Sequence, residues 1–257
     1  MKSPLRKRLP RELKSEFGKY LVVFIMMAIT IGFVSGFLVA DGSMLRAYDD
    51  SFQKYNIEDG YFQTKKKLTP AQKEDIEKSD VKVYENFYIE QKLTNGSTIR
   101  FFKNRKEVDK VCLMNGKMPK KSGEIAVDRM YADNNELKVG DTVKSRKKTF
   151  RITGLVALSD YSALFQNNND TMFDAVKFGV AIVTDKDFEA LNQVKVQYNY
   201  AWIYDKKPAT EKKEKKMAED LMEDMADVVT IESFVPQYQN QSIHFTGDDM
   251  GSDRARI

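Results

Sequence analysis

From Tyr20 to Ala40 the chain runs for 21 residues without a charge, YLVVFIMMAITIGFVSGFLVA. A helix of that length is about 31 Å long, the thickness of a bilayer's hydrocarbon core. Helices inside soluble proteins are rarely apolar on every side for so long. The run therefore predicts a transmembrane helix at 20–40. A cleavable signal peptide is the competing reading. Its apolar region is shorter, about 7–15 residues, and ends in a small-x-small site. The small residues between Ser35 and Ala40 keep that reading open.

Charge on the two flanks sets an orientation. Lys2, Arg6, Lys7, Arg8, Arg11, Lys14 and Lys19 precede the run, whereas Asp41, Asp49 and Asp50 follow it with Arg46 as the nearby cation. Positive flanks stay in the cytoplasm, so a cytoplasmic N-terminus is expected, with everything after Asp41 starting outside. Leu5, Leu9, Leu13 and Phe17 recur every four residues among the cations. Residues 1–19 thus read either as an amphipathic helix on the inner leaflet or as a disordered basic tail. Within the span, Ala28, Gly32, Gly36 and Ala40 also recur every four residues and form one small-residue face. Such a face lets a second helix approach closely, and these are the candidate helix-packing residues.

The rest of the composition removes several function classes. Lys and Arg total 42 against 38 Asp and Glu, a net charge of +4, and the excess sits in the first nineteen residues. That distribution suits a membrane surface and argues against a nucleic-acid partner. One cysteine, Cys112, excludes an intramolecular disulfide and a multi-thiolate metal site, and it reads as a small apolar residue in or near a core. One histidine, His244, disfavours zinc chemistry and a Ser-His-Asp arrangement, and reads as solvated or packed.

The remaining residues suffice for one sizeable domain or two small ones. A helix continues from Asp41 to Tyr55, with Leu45, Tyr48, Phe52 and Tyr55 at helical spacing. Gly60 begins a first strand. Thr69-Pro70-Ala71-Gln72 starts a helix that ends near Ser79, with Thr69 and Gln72 closing a capping box. Strands at 81–92 and 97–103 flank Asn95-Gly96, which predicts a hairpin with a type I′ turn. Further strands are expected at 124–127, 137–143, 149–158, 178–184, 198–204 and 228–234. Asp128 caps a helical turn through Asp133, a helix follows at 185–192, and another covers 208–225. The predicted class is α+β: one N-terminal transmembrane helix, then a mixed, strand-rich extracytoplasmic domain. No P-loop, G-x-G-x-x-G, G-x-S-x-G or H-E-x-x-H occurs, and the Asp248-Asp249 pair is too ordinary to argue for acid–base work. Asn167-Asn-Asn-Asp170 is a polar loop that reads as a surface turn before it reads as a ligand contact. No catalytic, cofactor-binding or metal-binding residues and no cofactor are predicted.

Several stretches in order resemble the FtsX/MacB-like permease family of ABC transporters. Arg11-Glu-Leu-Lys-Ser-Glu-Phe-Gly-Lys-Tyr20 resembles the family's start. Leu113-Met-Asn-Gly116-Lys-Met-Pro119, then Gly123-Glu-Ile-Ala-Val-Asp128, resembles its outer-domain signature. Leu137-Lys-Val-Gly140-Asp-Thr-Val143 and Phe150-Arg-Ile-Thr-Gly154 match the strands that follow. Ser242-Ile-His-Phe, then Asp249-Met-Gly-Ser-Asp253, resembles the approach to a second span in relatives from Gram-positive bacteria. Turn chemistry agrees: Gly116 and Pro119 fix a turn, Gly123 ends it, and Gly140-Asp141 links two strands tightly.

The resemblance implies a two-subdomain outer domain at 41–250, with an inserted subdomain at 112–196. Residues 251–257 become the approach to a second span, and the chain reads as a fragment of a longer permease with four spans. It also implies a non-catalytic membrane subunit in the cell membrane, a cytoplasmic ABC ATPase partner carrying the P-loop absent here, and a second permease copy or homologue. ATP-driven movement of the spans would drive the outer domains in export or substrate extraction. Two other readings stay open: a single-span receptor or adhesion protein with an outer ligand-binding domain, and a membrane-anchored enzyme.

Overall fold

A computed structural model of the protein describes residues 14–145, 148–191 and 193–244. The amphipathic segment before Lys14, the Asp248-Asp249 pair and the approach at 251–257 lie outside the described residues, as does the side chain of Leu45. The chain divides into two compact units, one ending at Tyr48 and one beginning at Asp49.

The first unit is helical. Helix α1 covers Phe17–Lys54, matching the expected continuation past the apolar run. Its stretch Phe17–Ala40, 24 residues, is long and apolar enough to cross a membrane. Phe24, Phe33, Phe37 and Val39 project from it exposed. The Thr30 hydroxyl, at the middle of this stretch, donates to the Met26 carbonyl at 2.8 Å. A hydroxyl satisfied within its own helix needs no water, as a hydrocarbon surrounding requires.

The second unit is built on one sheet. Its strands are β1 (Gly60–Thr64), β2 (Val81–Glu85), β3 (Tyr88–Lys92), β4 (Thr98–Lys103), β5 (Val111–Gly116), β6 (Glu124–Asp128), β7 (Thr142–Lys144), β8 (Thr149–Leu158), β9 (Phe178–Val183), β10 (Val196–Tyr204) and β11 (Ile231–Pro236). Their order is β11-β1-β10-β3-β4-β9-β6-β8-β5, with β2 also on β10 and β7 also on β8. The β4–β9 and β6–β8 pairs are parallel and the others antiparallel. Helices α2 (Pro70–Glu77), α3 (Arg129–Asn134), α4 (Asp185–Ala190) and α5 (Glu211–Val228) complete it. The class is α+β, as the sequence predicts.

The caps form as their residue types require. Thr69 accepts from the Gln72 amide while the Gln72 side chain accepts from the Thr69 amide, the reciprocal box. Asp128 accepts from Met130 and Tyr131 at the start of α3, and Thr184 from Asp187 at the start of α4.

Four local expectations need correction. The stretch 81–92 is two strands, because the Asn86 amide turns to donate to the Asn199 carbonyl at 2.9 Å and Phe87 packs edge-on against Tyr198 and Tyr200. The Asn95-Gly96 hairpin forms, but of the two only Gly96 has positive φ (90°). Gly96 donates to the Leu93 carbonyl and Leu93 to the Ser97 carbonyl, a three-residue loop with glycine at its left-handed position. The expected strand at 137–143 shortens to β7. The Asp141 carboxylate accepts from the Lys138 amide at 2.8 Å, and the Asp141 amide donates back to the Lys138 carbonyl, making a turn. Finally, Val111–Gly116 is a strand, β5, where the sequence predicts none.

Two apolar cores result. One gathers Phe62, Leu68, Ile76, Val81, Val83, Tyr200, Trp202, Tyr204, Leu221 and Met225. Trp202 stacks on Phe234 with ring centroids 4.7 Å apart, and Phe62 stacks on Tyr200 at 5.2 Å. Gly60 makes room for this stack: a Cβ there would lie 2.3 Å from the Trp202 ring. The second core runs from Tyr88 to Leu191, with Phe101, Phe102, Ile125, Phe150 and Ile182 fully buried.

Candidate functional site

Antiparallel register puts directly paired residues on one face of a sheet. Tyr61 pairs with Ala201 and Val235, and Gln63 pairs with Asn199 and Ser233. These side chains therefore share the face opposite Phe62, Tyr200 and Trp202. Tyr88, paired with Phe102, and Arg100, paired with Glu90, extend that face onto β3 and β4.

A cavity of about 410 Å³ lies over this face. The segment 160–169 after β8 and the turn 239–242 after β11 close it. Hydrogen bonds join the two covering segments. The Ser162 hydroxyl donates to the Ser242 carbonyl at 2.6 Å, Asn168 Nδ2 to the Gln239 carbonyl at 2.9 Å, and the Gln241 amide to Asn168 Oδ1 at 2.9 Å. Asn167–Asp170 is the expected turn, closed by the Asp170 amide on the Asn167 carbonyl, and Asn167, Asn168 and Asn169 also line the cavity.

Buried charge surrounds the cavity and is paired internally. Arg105 donates to both oxygens of Asp160, at 2.7 and 2.6 Å, and to Asn86 Oδ1 at 3.3 Å. Arg100 donates to Glu90 at 2.9 and 2.6 Å, to the Tyr161 hydroxyl at 2.5 Å and to the Gln166 carbonyl at 2.7 Å. Its guanidinium also sits 4.1 Å from the Tyr88 ring centroid. The Asp109 carboxylate, fully buried, accepts from the Glu58 amide at 2.9 Å and from Asn86 at 3.2 Å. Burial, with the Asp109 and Asp160 carboxylates nearby, pushes Glu58 well above the ordinary carboxyl range. Burial and Asp160 push Asp109 up to about 7, against the opposing pull of Arg105. Among the described residues, two buried atoms on cavity-lining residues have no hydrogen-bond partner: Glu58 Oε2 and Asn199 Oδ1.

A second polar cluster serves structure. The Ser122 hydroxyl donates to Asp187 at 2.5 Å, the Gly123 amide donates at 2.8 Å, and Lys148 pairs with the same carboxylate. Burial opposes the Asp187 charge, but those bonds hold its carboxyl below the ordinary range. With Ser122 and Lys148 both committed to Asp187, neither is prepared as a nucleophile or a base. Among the described residues no group of three or more His, Cys, Asp or Glu can hold a metal.

Apart from Asn167, Asn168 and Asn169, the residues singled out in the sequence lie elsewhere. Ala28, Gly32, Gly36 and Ala40 are exposed on α1, with nothing within 4 Å of a Cβ built at Gly32 or Gly36. Cys112 is half-buried on the edge strand β5, its sulfur 3.7 Å from that of Met114, and it belongs to neither core. His244 is half-buried in the helical turn at 241–244. The cavity groups Glu58, Arg100, Arg105, Asp160 and Asn199 escaped sequence reasoning. The legible signal was a polar residue at an inward position of a strand, Arg100 in Thr-Ile-Arg-Phe-Phe and Asn199 between Tyr198 and Tyr200.

No family model matches the chain, and no curated protein matches it either. Two solved structures are similar over most of its length. The extracellular domain of the noncanonic ABC-type transporter YknZ from Gram-positive bacteria is 12% identical, with a TM-score of 0.34, covering 68% of this chain and 97% of that one. The periplasmic region of MacB from Actinobacillus actinomycetemcomitans is 13% identical, with a TM-score of 0.35, covering 74% of this chain and 92% of that one. Likenesses this distant are recorded as similarity and fix no function.

Proposed function

We propose that the chain is the permease subunit of an ABC transporter of the FtsX/MacB-like type, non-catalytic and seated in the cell membrane with its N-terminus inside. The observation that carries this reading is the ordered set of motifs in one sequence: a cationic lead, an apolar helix, Leu113–Pro119, Gly123–Asp128 and Phe150–Gly154. A cytoplasmic ABC ATPase is the partner, and its ATP hydrolysis moves the outer domain in export or substrate extraction. The stripe Ala28, Gly32, Gly36, Ala40 is the proposed seat for a helix of a second permease copy or homologue. An inserted subdomain at 112–196 belongs to the same proposal. The separate second core supports it, although that core also takes in residues from Tyr88 to Phe102.

Two measurements test the reading. In a Cys112→Ser background, Lys206→Cys, at an exposed position, should react in intact cells with an impermeant thiol reagent, while Ser3→Cys should not. Labelling at 3 and not at 206 reverses the orientation. The full chain extracted in mild detergent should carry an ATPase with a P-loop, and its absence from a stable complex removes the transporter reading. The polar cavity favours a second reading, a single-span receptor with an outer ligand-binding domain. A chain that signals or binds with no ATPase attached would establish it.

A further inference from the structure

We infer that the cavity between the β1–β10–β4 face and the segment 160–169 binds a neutral saccharide, with Asn199 and Glu58 supplying buried hydrogen bonds to its hydroxyls. This inference does not depend on the transporter reading.

The argument proceeds from what the cavity has left to offer. Its fixed charges are spoken for: Asp160 is held by Arg105 through both oxygens, and Arg100 by Glu90, Tyr161 and the Gln166 carbonyl. Burial and neighbouring carboxylates raise Glu58 well above the ordinary carboxyl range, which disfavours its charged form. An ionic ligand would therefore meet walls whose Arg100 and Asp160 charges are already answered within the protein. An apolar ligand fits no better, because the lining is dominated by side-chain amides and hydroxyls, among them Gln63, Asn86, Asn169 and Asn240.

Two of those polar groups are unfinished. Asn199 is 7% exposed and Glu58 is 2% exposed, and Asn199 Oδ1 and Glu58 Oε2 find no partner among the described residues. A buried polar atom left unpaired costs roughly 1–3 kcal/mol, which a ligand carrying hydroxyls relieves on binding. A hydroxyl both donates and accepts, so it can answer the Asn199 carbonyl oxygen and the Glu58 carboxyl alike. Aromatic rings at Tyr61, Tyr88, Phe165 and Phe234 supply faces for the C–H side of a sugar ring. The volume, about 410 Å³, falls in the roughly 300–1,000 Å³ range of small-molecule sites.

An extended peptide is the nearest competitor. It would gain most of its affinity from main-chain bonds to a free sheet edge. The wall strands β1 and β10 offer none, because β1 is paired by β10 and β11 and β10 by β1, β2 and β3, whereas β11, which also lines the cavity, ends the sheet and is paired by β1 alone among the described residues. Over β1 and β10 recognition falls to side chains, which suits a polyol, and the triglycine control reports any pairing at β11.

The test uses the full chain in lipid nanodiscs free of sugar detergents. Maltose, cellobiose, N,N′-diacetylchitobiose and, as the peptide control, triglycine are titrated calorimetrically up to about 10 mM, a weak-binding limit. At least one disaccharide should bind saturably. Asn199→Leu, which keeps the side chain's size and removes its amide, should weaken that binding about tenfold or more. Gln63→Ala, at a half-buried position, should weaken it severalfold, and it carries the test if Asn199→Leu fails to melt cooperatively. The inference is overturned if no disaccharide binds, if triglycine binds in their place, or if the folded variants bind as the parent does.

Discussion

Strand β10 has two faces, and they obey different rules. Tyr200, Trp202 and Tyr204 point into a core whose rings stack on Phe62 and Phe234 under helices α2 and α5. Asn199, on the alternate face, points at a cavity bounded by Glu58, Asp160 and Arg100. The first face is dry and closely packed, and its gain is area removed from water. The second holds buried charges whose mutual attraction does little more than offset the cost of removing them from water. The difference separates the part of the domain that makes it fold from the part that is free to recognise something.

Trp202→Ala tests that division most severely. Trp202 is fully buried, and truncating a side chain of that size leaves a void that the surrounding sheet cannot close. A loss of about 4 kcal/mol is expected in denaturant unfolding followed by circular dichroism. A loss under about 1 kcal/mol would mean the stacked face does not hold the domain together.

Arg105→Met probes the other face. It removes the partner of Asp160 and leaves that carboxylate buried at 6% exposure. The cost of breaking a buried pair from one side is about 3 kcal/mol, chiefly the charge left behind. The companion Arg105→Met/Asp160→Leu should recover most of it, because an apolar pair pays no such penalty. Failure to recover in thermal melts would show that the attraction of Arg105 for Asp160, or for the buried Asp109 3.9 Å away, stabilises the cavity wall beyond the cost of an unpaired Asp160.

How far each face could be read in the sequence follows from range. Capping and turn chemistry is local, so Thr69-Pro70-Ala71-Gln72 and Asp128 announced their helices, and the strand expected at 198–204 covers most of β10. What depends on distant strands was not legible. Asn86 breaks the 81–92 stretch because of an acceptor on Asn199, more than a hundred residues later, and the Asn95-Gly96 turn type is settled by how Leu93 meets Ser97. Val111–Gly116 lacks an apolar alternation because most of it is exposed at the sheet's edge. The cavity is assembled from residues between Glu58 and Ser242 that no local motif connects. Arg100 and Asn199 could have been suspected as polar residues at inward strand positions and Asn167–Asn169 as a polar loop, whereas Glu58 and Asp160, outside the strands, carry no such signal.

The finest distinction between the faces lies in how each responds to protons, and Glu58→Gln isolates it. The rings around Trp202 do not titrate near neutral pH, whereas the folded protein raises both Glu58 and Asp109 above their ordinary values of 4.5 and 3.8. A carboxyl raised on folding binds its proton more tightly in the native state than in the unfolded one. Between the ordinary range and the folded value, which for Asp109 is about 7, the native state therefore holds more protons. For Asp109 the linked stability is full below about pH 4 and is lost as pH rises toward 7, at no more than about 1.4 kcal/mol per pH unit for each proton, and Glu58, raised in the same direction, contributes a loss of the same sign. Asp128, pushed up to about 6 chiefly by burial, adds to the same trend in parent and variant alike. Glu58→Gln keeps the side chain's shape and removes one titrating group. It should match the parent within about 1 kcal/mol at pH 5 and lose less stability by pH 8, as read from urea midpoints at each pH. Parallel pH profiles for the two proteins would mean that Glu58 is ionised in the fold, and that the cavity carries a net charge that an ionic ligand would be needed to balance.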